Sequence, residues 1–345
     1  MVKAGRLTQR DIAQLAGVSQ ATVSLVLNDA KAAEGRIPDE TRERVLKAIR
    51  DTGYVADPIA RRMAKGLNRI LGVFTYEPAF PSAQADFFLP FLLGIEESAQ
   101  EHRYDLLLLT GAARTGGRRK IFDENNRLRL ADGCVILGRD FDRAELKQLV
   151  KGDFPYVAVG RRADAGGPVP YVGADYAKAT AELLELAKAK GHSKFAYVGP
   201  SKGPESSIDR WDGFNSRLDG AELVLHIGAV GGPAAEVLAA IRASGATVVF
   251  FTELADAIVV EAAARSQHLS VPGDLSIVVL GSHVRPAHTG TQFTTFSIPR
   301  EEMARRATAM LVERIETNSK GGQVLLPCET AEGTTLGPPQ TGSVK

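Results

Sequence analysis

The residues of this 345-residue chain with the most legible chemistry lie near its start. Between positions 20 and 28, Val23, Val26 and Leu27 share one side of a helical wheel, which leaves Gln20, Ala21, Ser24 and Leu25 on a face that packing does not need. A glutamine amide can pair with an adenine edge in bidentate fashion, and Ala21 or Leu25 can lie against a thymine methyl. The bases themselves stay open at this level.

Such a face needs a scaffold, and the flanking residues supply one. Ile12, Leu15 and Ala16 have the spacing of one helix face, opened by Thr8 as N-cap. Gly17-Val18-Ser19 then forms a short turn. Gly17 is free to take positive φ, Val18 can plug between two helices, and Ser19 can cap the helix that starts at Gln20. A third helix is predicted over 39–52, with Val45, Leu46 and Ile49 inward and Gly53 at its end. Helix, glycine turn, helix is a DNA-reading layout. A helical hairpin with no DNA role is the plain alternative. Charge favours the first reading: residues 1–68 hold 12 Lys and Arg against 8 Asp and Glu, whereas the rest hold 30 against 33.

Beyond Tyr54, Asp57 can cap and Pro58 can take the first position of a two-turn helix that ends at Gly66. So short a helix is marginal alone and is expected to form only against a second copy or on DNA. From Ile70 onward, short apolar runs alternate with amphipathic helices. The first series is 70–76, 91–102, 104–109, 133–137 and 156–159. A second comprises 171–173, 178–190, 195–199, 223–227, 247–251, 255–267 and 275–280. Alternating strands and helices imply parallel, doubly wound sheets. A strand over 294–298 and a helix over 300–315 are expected to return to the first series.

Composition narrows the function classes. No apolar run reaches the roughly 18 residues that span a bilayer, and the polar start MVKAGRLTQRD lacks a secretory signal, so a cytoplasmic protein is expected. Cys134 and Cys328 have neither metal-ligand nor redox spacing and read as small buried hydrophobes. A nucleophile elbow, a phosphate loop and a metal-ligand pattern are all absent from the sequence, and the scattered histidines, including His268, His283 and His288, have no paired carboxylate motif. Neither an enzyme nor a cofactor is expected. The tail after Leu336 lacks leucine heptads, so a dimer is expected rather than a tetramer held by a coiled coil.

Asp11-Ile12-Ala13 through Ala16-Gly17-Val18-Ser19, then Ala21-Thr22-Val23-Ser24, Val26-Leu27-Asn28 and Thr41-Arg42-Glu43-Arg44-Val45, resemble the headpiece of the LacI/GalR family of transcriptional regulators. The resemblance extends through Gly94-Ile95-Glu96, Ala131-Asp132-Gly133, Gly191-His192, Arg210 with Gly213-Phe214, and Val271-Pro272-Gly273-Asp274-Leu275-Ser276. It implies a helix-turn-helix headpiece (1–53), a hinge helix and linker (54–68), and a periplasmic-binding-protein-like core of two doubly wound α/β subdomains. These would comprise 69–165 with 295–326, and 166–294 with 327–345.

The same resemblance implies site residues. Gln20, Ala21 and Leu25 fall at positions that approach base edges, and Thr8, Ser19, Thr22 and Asn28 at positions that contact phosphates, which suits their hydroxyls and amides. Met63 aligns with the apolar wedge that kinks the minor groove, with Arg61, Arg62 and Lys65 near phosphates. Arg210 inherits a place in the effector cleft, where its planar fork suits vicinal hydroxyls or a carboxylate, and Arg161 aligns nearby. Thr252-Glu253 and Gly281-Ser282 stand where many relatives carry carboxylates and amides, which weakens the inference of a simple sugar. Tyr76, Phe80, Phe87 and Phe88 follow the first strand, where relatives place an aromatic platform, though core packing also accounts for such residues. The implied partners are a near-palindromic operator, a small effector, sugar-like or otherwise, and a second copy of the chain. A regulator that has lost its effector, and a free ligand-binding protein, are the alternatives.

Overall fold

Thr8 opens the first helix with a full capping box. The computed structural model describes residues 7–28, 37–54, 67–77, 85–111, 114–115, 118–122, 127–282 and 290–340. In it Asp11 N donates to Thr8 Oγ1 at 3.4 Å, while Thr8 N donates to Asp11 Oδ2 at 2.7 Å. Helix α1 (Gln9–Ala16) ends at Gly17, whose φ of 63° is left-handed and costs glycine nothing. Ser19 caps α2 (Gln20–Asn28), its hydroxyl accepting from Thr22 N at 3.1 Å. Helix α3 (Asp39–Thr52) ends at Gly53, and Pro38 before it provides no side-chain cap.

Ile12, Ala13, Ala16, Val23, Val26, Val45 and Tyr54 form the core of these helices, with Val18, Leu27, Leu46 and Ile49 packed against it. Leu15 departs from expectation: it is 62 % exposed. The buried arc of α1 runs from Ile12 through Ala16 to Ala13, and at 100° per residue Leu15 lies roughly 100° from its middle. The chain forms two compact units, the first ending at Ile70 and the second beginning at Leu71.

The second unit is carried by β1 (Ile70–Thr75), α4 (Ala85–Glu101), β2 (Asp105–Leu109), a short ribbon of β3 (Arg114–Thr115) and β4 (Arg118–Arg119), β5 (Gly133–Leu137), α5 (Arg143–Lys151), β6 (Tyr156–Val159) and β7 (Tyr171–Ala174). The chain continues through α6 (Tyr176–Ala189), β8 (Lys194–Val198), α7 (Glu205–Asn215), β9 (Glu222–Ile227), α8 (Ala234–Ala243), β10 (Val248–Phe251), α9 (Leu254–Ser266) and β11 (Ser276–Val279). It closes with β12 (Thr295–Ser297), α10 (Arg300–Thr317), β13 (Gln323–Leu326) and β14 (Glu329–Ala331).

Two principal sheets result, in the orders β13-β7-β6-β5-β1-β2 and β11-β10-β8-β9. The pairings β1–β5, β5–β6, β8–β10 and β10–β11 are all parallel, with Val73 opposite Val135 and Phe250 between Tyr197 and Val278. Strands such as β5 and β10 are buried at every residue, which is why they read as unbroken apolar runs. Cys134 and Cys328 are both buried and free, as expected, and burial pushes the Cys328 thiol up to about 12.

Two placements correct the sequence reading. Strand β7, assigned by the 165/166 boundary to the second subdomain, pairs with β6 and β13 in the first sheet. Residues 294–298, expected to rejoin the first subdomain as a strand, instead place β12 antiparallel to β14, with Thr294 bridging Val278 of the second sheet. Apolar spacing marks a strand without naming its partner. The helix that follows does return: α10 packs on α4, β5, β6 and β7. A Cβ at Gly94 would collide with the Glu301 carbonyl, so α4 and α10 approach this closely only at a glycine. Gly213 plays the same part where α7 meets the backbone of Ala177 on α6. No helix among the described residues is long and apolar enough to cross a membrane.

Candidate nucleic-acid face and ligand cleft

On α2 the structure separates the two faces that the spacing implied. Val23 is fully buried and Val26 nearly so, whereas Gln20 and Ala21 are exposed and Thr22, Ser24 and Leu25 half-buried. Gln20, Ala21, Ser24 and Leu25 thus share one side at spacings of one, four and five residues. Thr8 and Ser19 are exposed at the starts of their helices. The Ser19 and Thr22 hydroxyls lie 2.9 Å apart, and the Thr8 hydroxyl donates to Asp11 Oδ2 at 2.7 Å. The Thr8 backbone N–H and hydroxyl hold the Asp11 carboxyl below its ordinary range. Asn28 occupies the last turn of α2, its side chain outside the described residues. Arg61 and Met63, with the rest of residues 55–66, and Phe80 also lie outside them, as do His283 and His288.

In the second unit, five strand ends converge on a cleft of about 380 Å³. Leu137, Gly138 and Arg139 follow along β5, Gly160 to Arg162 follow β6, and Pro200 follows β8. Thr252 and Glu253 leave β10, and Leu280 to Ser282 leave β11. Open α/β sheets bind ligands at such carboxyl ends, because side chains and backbone groups from several strands meet there. Helix α4 adds Phe87, Phe88 and Phe91, and the first turns of α7 add Ser206, Ser207, Asp209 and Arg210.

Arg210 is held by the backbone. Its Nε donates to Leu280 O at 2.7 Å and its Nη1 to Ser206 O at 2.8 Å, and the guanidinium stacks 3.9 Å over the Tyr176 ring. Arg161 binds Asp209 through two donors at 2.8 and 2.5 Å, and the Asp209 hydrogen bond keeps its ionisation above the usual arginine range. Arg162, which the sequence did not single out, is nearly fully buried. It pairs with Glu205 at 3.0 Å, donates to Gly138 O and stacks on Phe141. Burial works to raise the Glu205 carboxyl, but the Ala163 N–H and the Arg162 charge outweigh it and hold the group low.

Six of the seven expected effector residues meet at this cleft: Arg210, Arg161, Thr252, Glu253, Ser282 and Phe88. Tyr76 does not. Its ring is buried 5.1 Å from Phe74 and 4.9 Å from Phe141, in a different apolar cluster, where burial raises its hydroxyl strongly. The alternation of a strand explains the miss, since Tyr76 lies just past β1 and faces away from the side that Phe88 covers. Arg139 and Arg300 also line the cleft and were not anticipated. Arg139 carries a usable signal in the Gly138-Arg139 pair at a strand's carboxyl end, whereas the position of Arg300 depends on how α10 returns.

Models of known families match nearly all of this architecture. One described as "Bacterial regulatory proteins, lacI family" covers residues 8–57, and one described as "Periplasmic binding proteins and sugar binding domain of LacI family" covers 79–232. A third, "Periplasmic binding protein-like domain", covers 184–336. The chain belongs to the LacI family. Among LacI-family relatives, it is 27 % identical over 221 residues to the transcriptional regulator MalR of Streptococcus pneumoniae, a match spanning 61 % of this chain and 62 % of that relative, less than two thirds of its length. It is 26 % identical over 335 residues to the transcriptional repressor CytR of Escherichia coli, covering 93 % and 94 % of the two chains. The structure of the Lac repressor dimer bound to operator and the anti-inducer ONPF shares the fold, with a TM-score of 0.72 at 16 % identity over 96 % of this chain and 100 % of that one.

Proposed function

We propose that this LacI-family chain is a sequence-specific DNA-binding repressor that works as a cytoplasmic homodimer and is controlled by a small effector of carbohydrate type. One observation carries the reading: Gln20 and Ala21 stand exposed at the start of a capped second helix, in the same chain as a cleft lined at its strand ends by guanidinium and hydroxyl groups. A relative named as a repressor and a family model described as sugar binding support it. The reading assigns the chain no catalytic step.

In this reading, Gln20, Ala21, Ser24 and Leu25 face base edges, while Thr8, Ser19, Thr22 and Asn28 meet phosphates. Two copies present α2 to half-sites roughly 34 Å apart, and the hinge forms between them with Met63 as a minor-groove wedge and Arg61 beside a phosphate. Arg210, Arg161, Thr252, Glu253, Ser282 and Phe88 hold the effector. Selection from random duplexes by the full chain is expected to enrich one near-palindromic site. Gln20→Ala should then lower affinity for that site by about 1–3 kcal/mol and relax preference at one position of each half. A pool that stays random after repeated rounds would sink the reading.

A further inference from the structure

Five arginines line the cleft, and the structure treats them in two ways. Arg161 and Arg162 are each given a carboxylate, Asp209 and Glu205. Arg139, Arg210 and Arg300 make no ion pair with any described carboxylate. Arg210 and Arg300 are instead fastened to one short turn: Arg210 Nε donates to Leu280 O at 2.7 Å, and Arg300 Nη2 donates to Ser282 O at 2.8 Å, two residues on. The Arg139 guanidinium stands 4.7 Å from the centre of the Phe87 ring.

Carbonyl oxygens and aromatic faces orient a guanidinium without neutralising it. An arginine cannot shed its proton to relieve the strain of burial, so the half-buried Arg210 and Arg300, with exposed Arg139 beside them, carry a standing electrostatic cost. Burial depresses the Arg300 ionisation, and the Arg210 and Arg139 charges push it the same way, so the three act on one another. Beside Asp209, which is already taken, Glu253 is the only other carboxylate among the lining residues.

Taking the effector-cleft reading above as its basis, we infer that the cleft is built for a small ligand bearing an oxyanion, a carboxylate or a phosphate, seated against Arg300, Arg210 and Arg139. Such a group accepts hydrogen bonds from guanidinium forks and offsets the three charges together. The Phe87 and Phe88 side chains give the ligand an apolar wall, and Ser206, Ser207 and Glu253 face its hydroxyls. The volume suits a monosaccharide acid or a sugar monophosphate.

The test is calorimetric titration of the full chain with glucuronate, glucose 6-phosphate, inorganic phosphate and glucose, the first two separating carboxylate from phosphate. At least one anion is expected to bind more tightly than glucose and to weaken as KCl is added. Arg300→Gln should reduce its affinity roughly tenfold or more, by the usual worth of a charge-assisted hydrogen bond. Exposed Arg139 supplies a second variant that keeps the test available if the first does not fold. Arg139→Gln should cost roughly threefold. Lys178→Gln, on an exposed surface lysine, removes the same charge elsewhere and should leave anion affinity unchanged. Glucose binding as well as every anion, no anion binding by folded protein, or anion affinity indifferent to both arginine substitutions would overturn the inference. Site selection on the same preparation keeps the two readings apart, because a chain that finds its operator yet binds no anion loses only this one.

Discussion

At the scale of single residues, the cleft shows how one side-chain type takes on different duties through its neighbours. Arg162 is a structural cation, enclosed by Glu205, Gly138 O and Phe141, whereas Arg210 keeps its charge without a carboxylate. The Arg162–Glu205 pair makes a pH prediction with a definite sign. The folded state holds the Glu205 carboxyl below its ordinary value, so the pair's stabilisation is complete above that value and is lost as pH falls through the folded one. Glu205→Gln should lower stability by about 2 kcal/mol near neutrality, because it leaves a buried charge without its partner. Thermal melts from about pH 6 to about pH 3 should show the gap between variant and wild type closing as the medium becomes acidic. Parallel curves would show that Glu205 does not titrate as the structure implies.

At the scale of elements, the first unit was legible because its signals are local. Thr8, Gly17, Ser19 and Gly53 act on backbone groups within a few residues of themselves, and each does what its type and position imply. The second unit was less so. Helix α7, which brings Asp209 and Arg210 to the cleft, follows Pro204 with no side-chain cap and has no strong apolar stripe. The α4–α10 contact depends on Gly94, whose purpose shows only once α10 lies against it. Gly94→Ala should therefore destabilise the chain by about 1–3 kcal/mol through overpacking against helix backbone. Gly111→Ala, where a Cβ meets nothing within 4 Å, should change the melting temperature little. Calorimetric melts of both variants check the contrast, and an equal loss in the two would point to glycine replacement as such.

At the scale of the whole molecule, the proposed repressor must couple its two units, and linkage constrains how. If a cleft ligand changes operator affinity by some factor, typically roughly 5- to 150-fold, operator must change ligand affinity by the same factor. Titrating whichever sugar or anion binds, with and without the selected operator, measures both sides. Arg210→Ala should abolish the ligand's effect on operator binding, since it removes both backbone anchors and the stack on Tyr176. Ligand affinity that ignores operator would refute the coupling.

Family resemblance alone pointed Arg210 to the cleft; the sequence by itself determined the glycine-turn helix pair, the face that carries Gln20 and Ala21, and the parallel α/β class of the core. Those follow from periodicity, capping chemistry and ordered motifs, all of which act over short stretches of chain. Only the tertiary structure decided that β7 belongs to the first sheet, that β12 pairs with β14, that Tyr76 turns away from the cleft and that Arg300 enters it. Each of those depends on which distant segment becomes a neighbour. Strand partners and charge partners are chosen by packing across the whole unit, and no local pattern of residues encodes that choice.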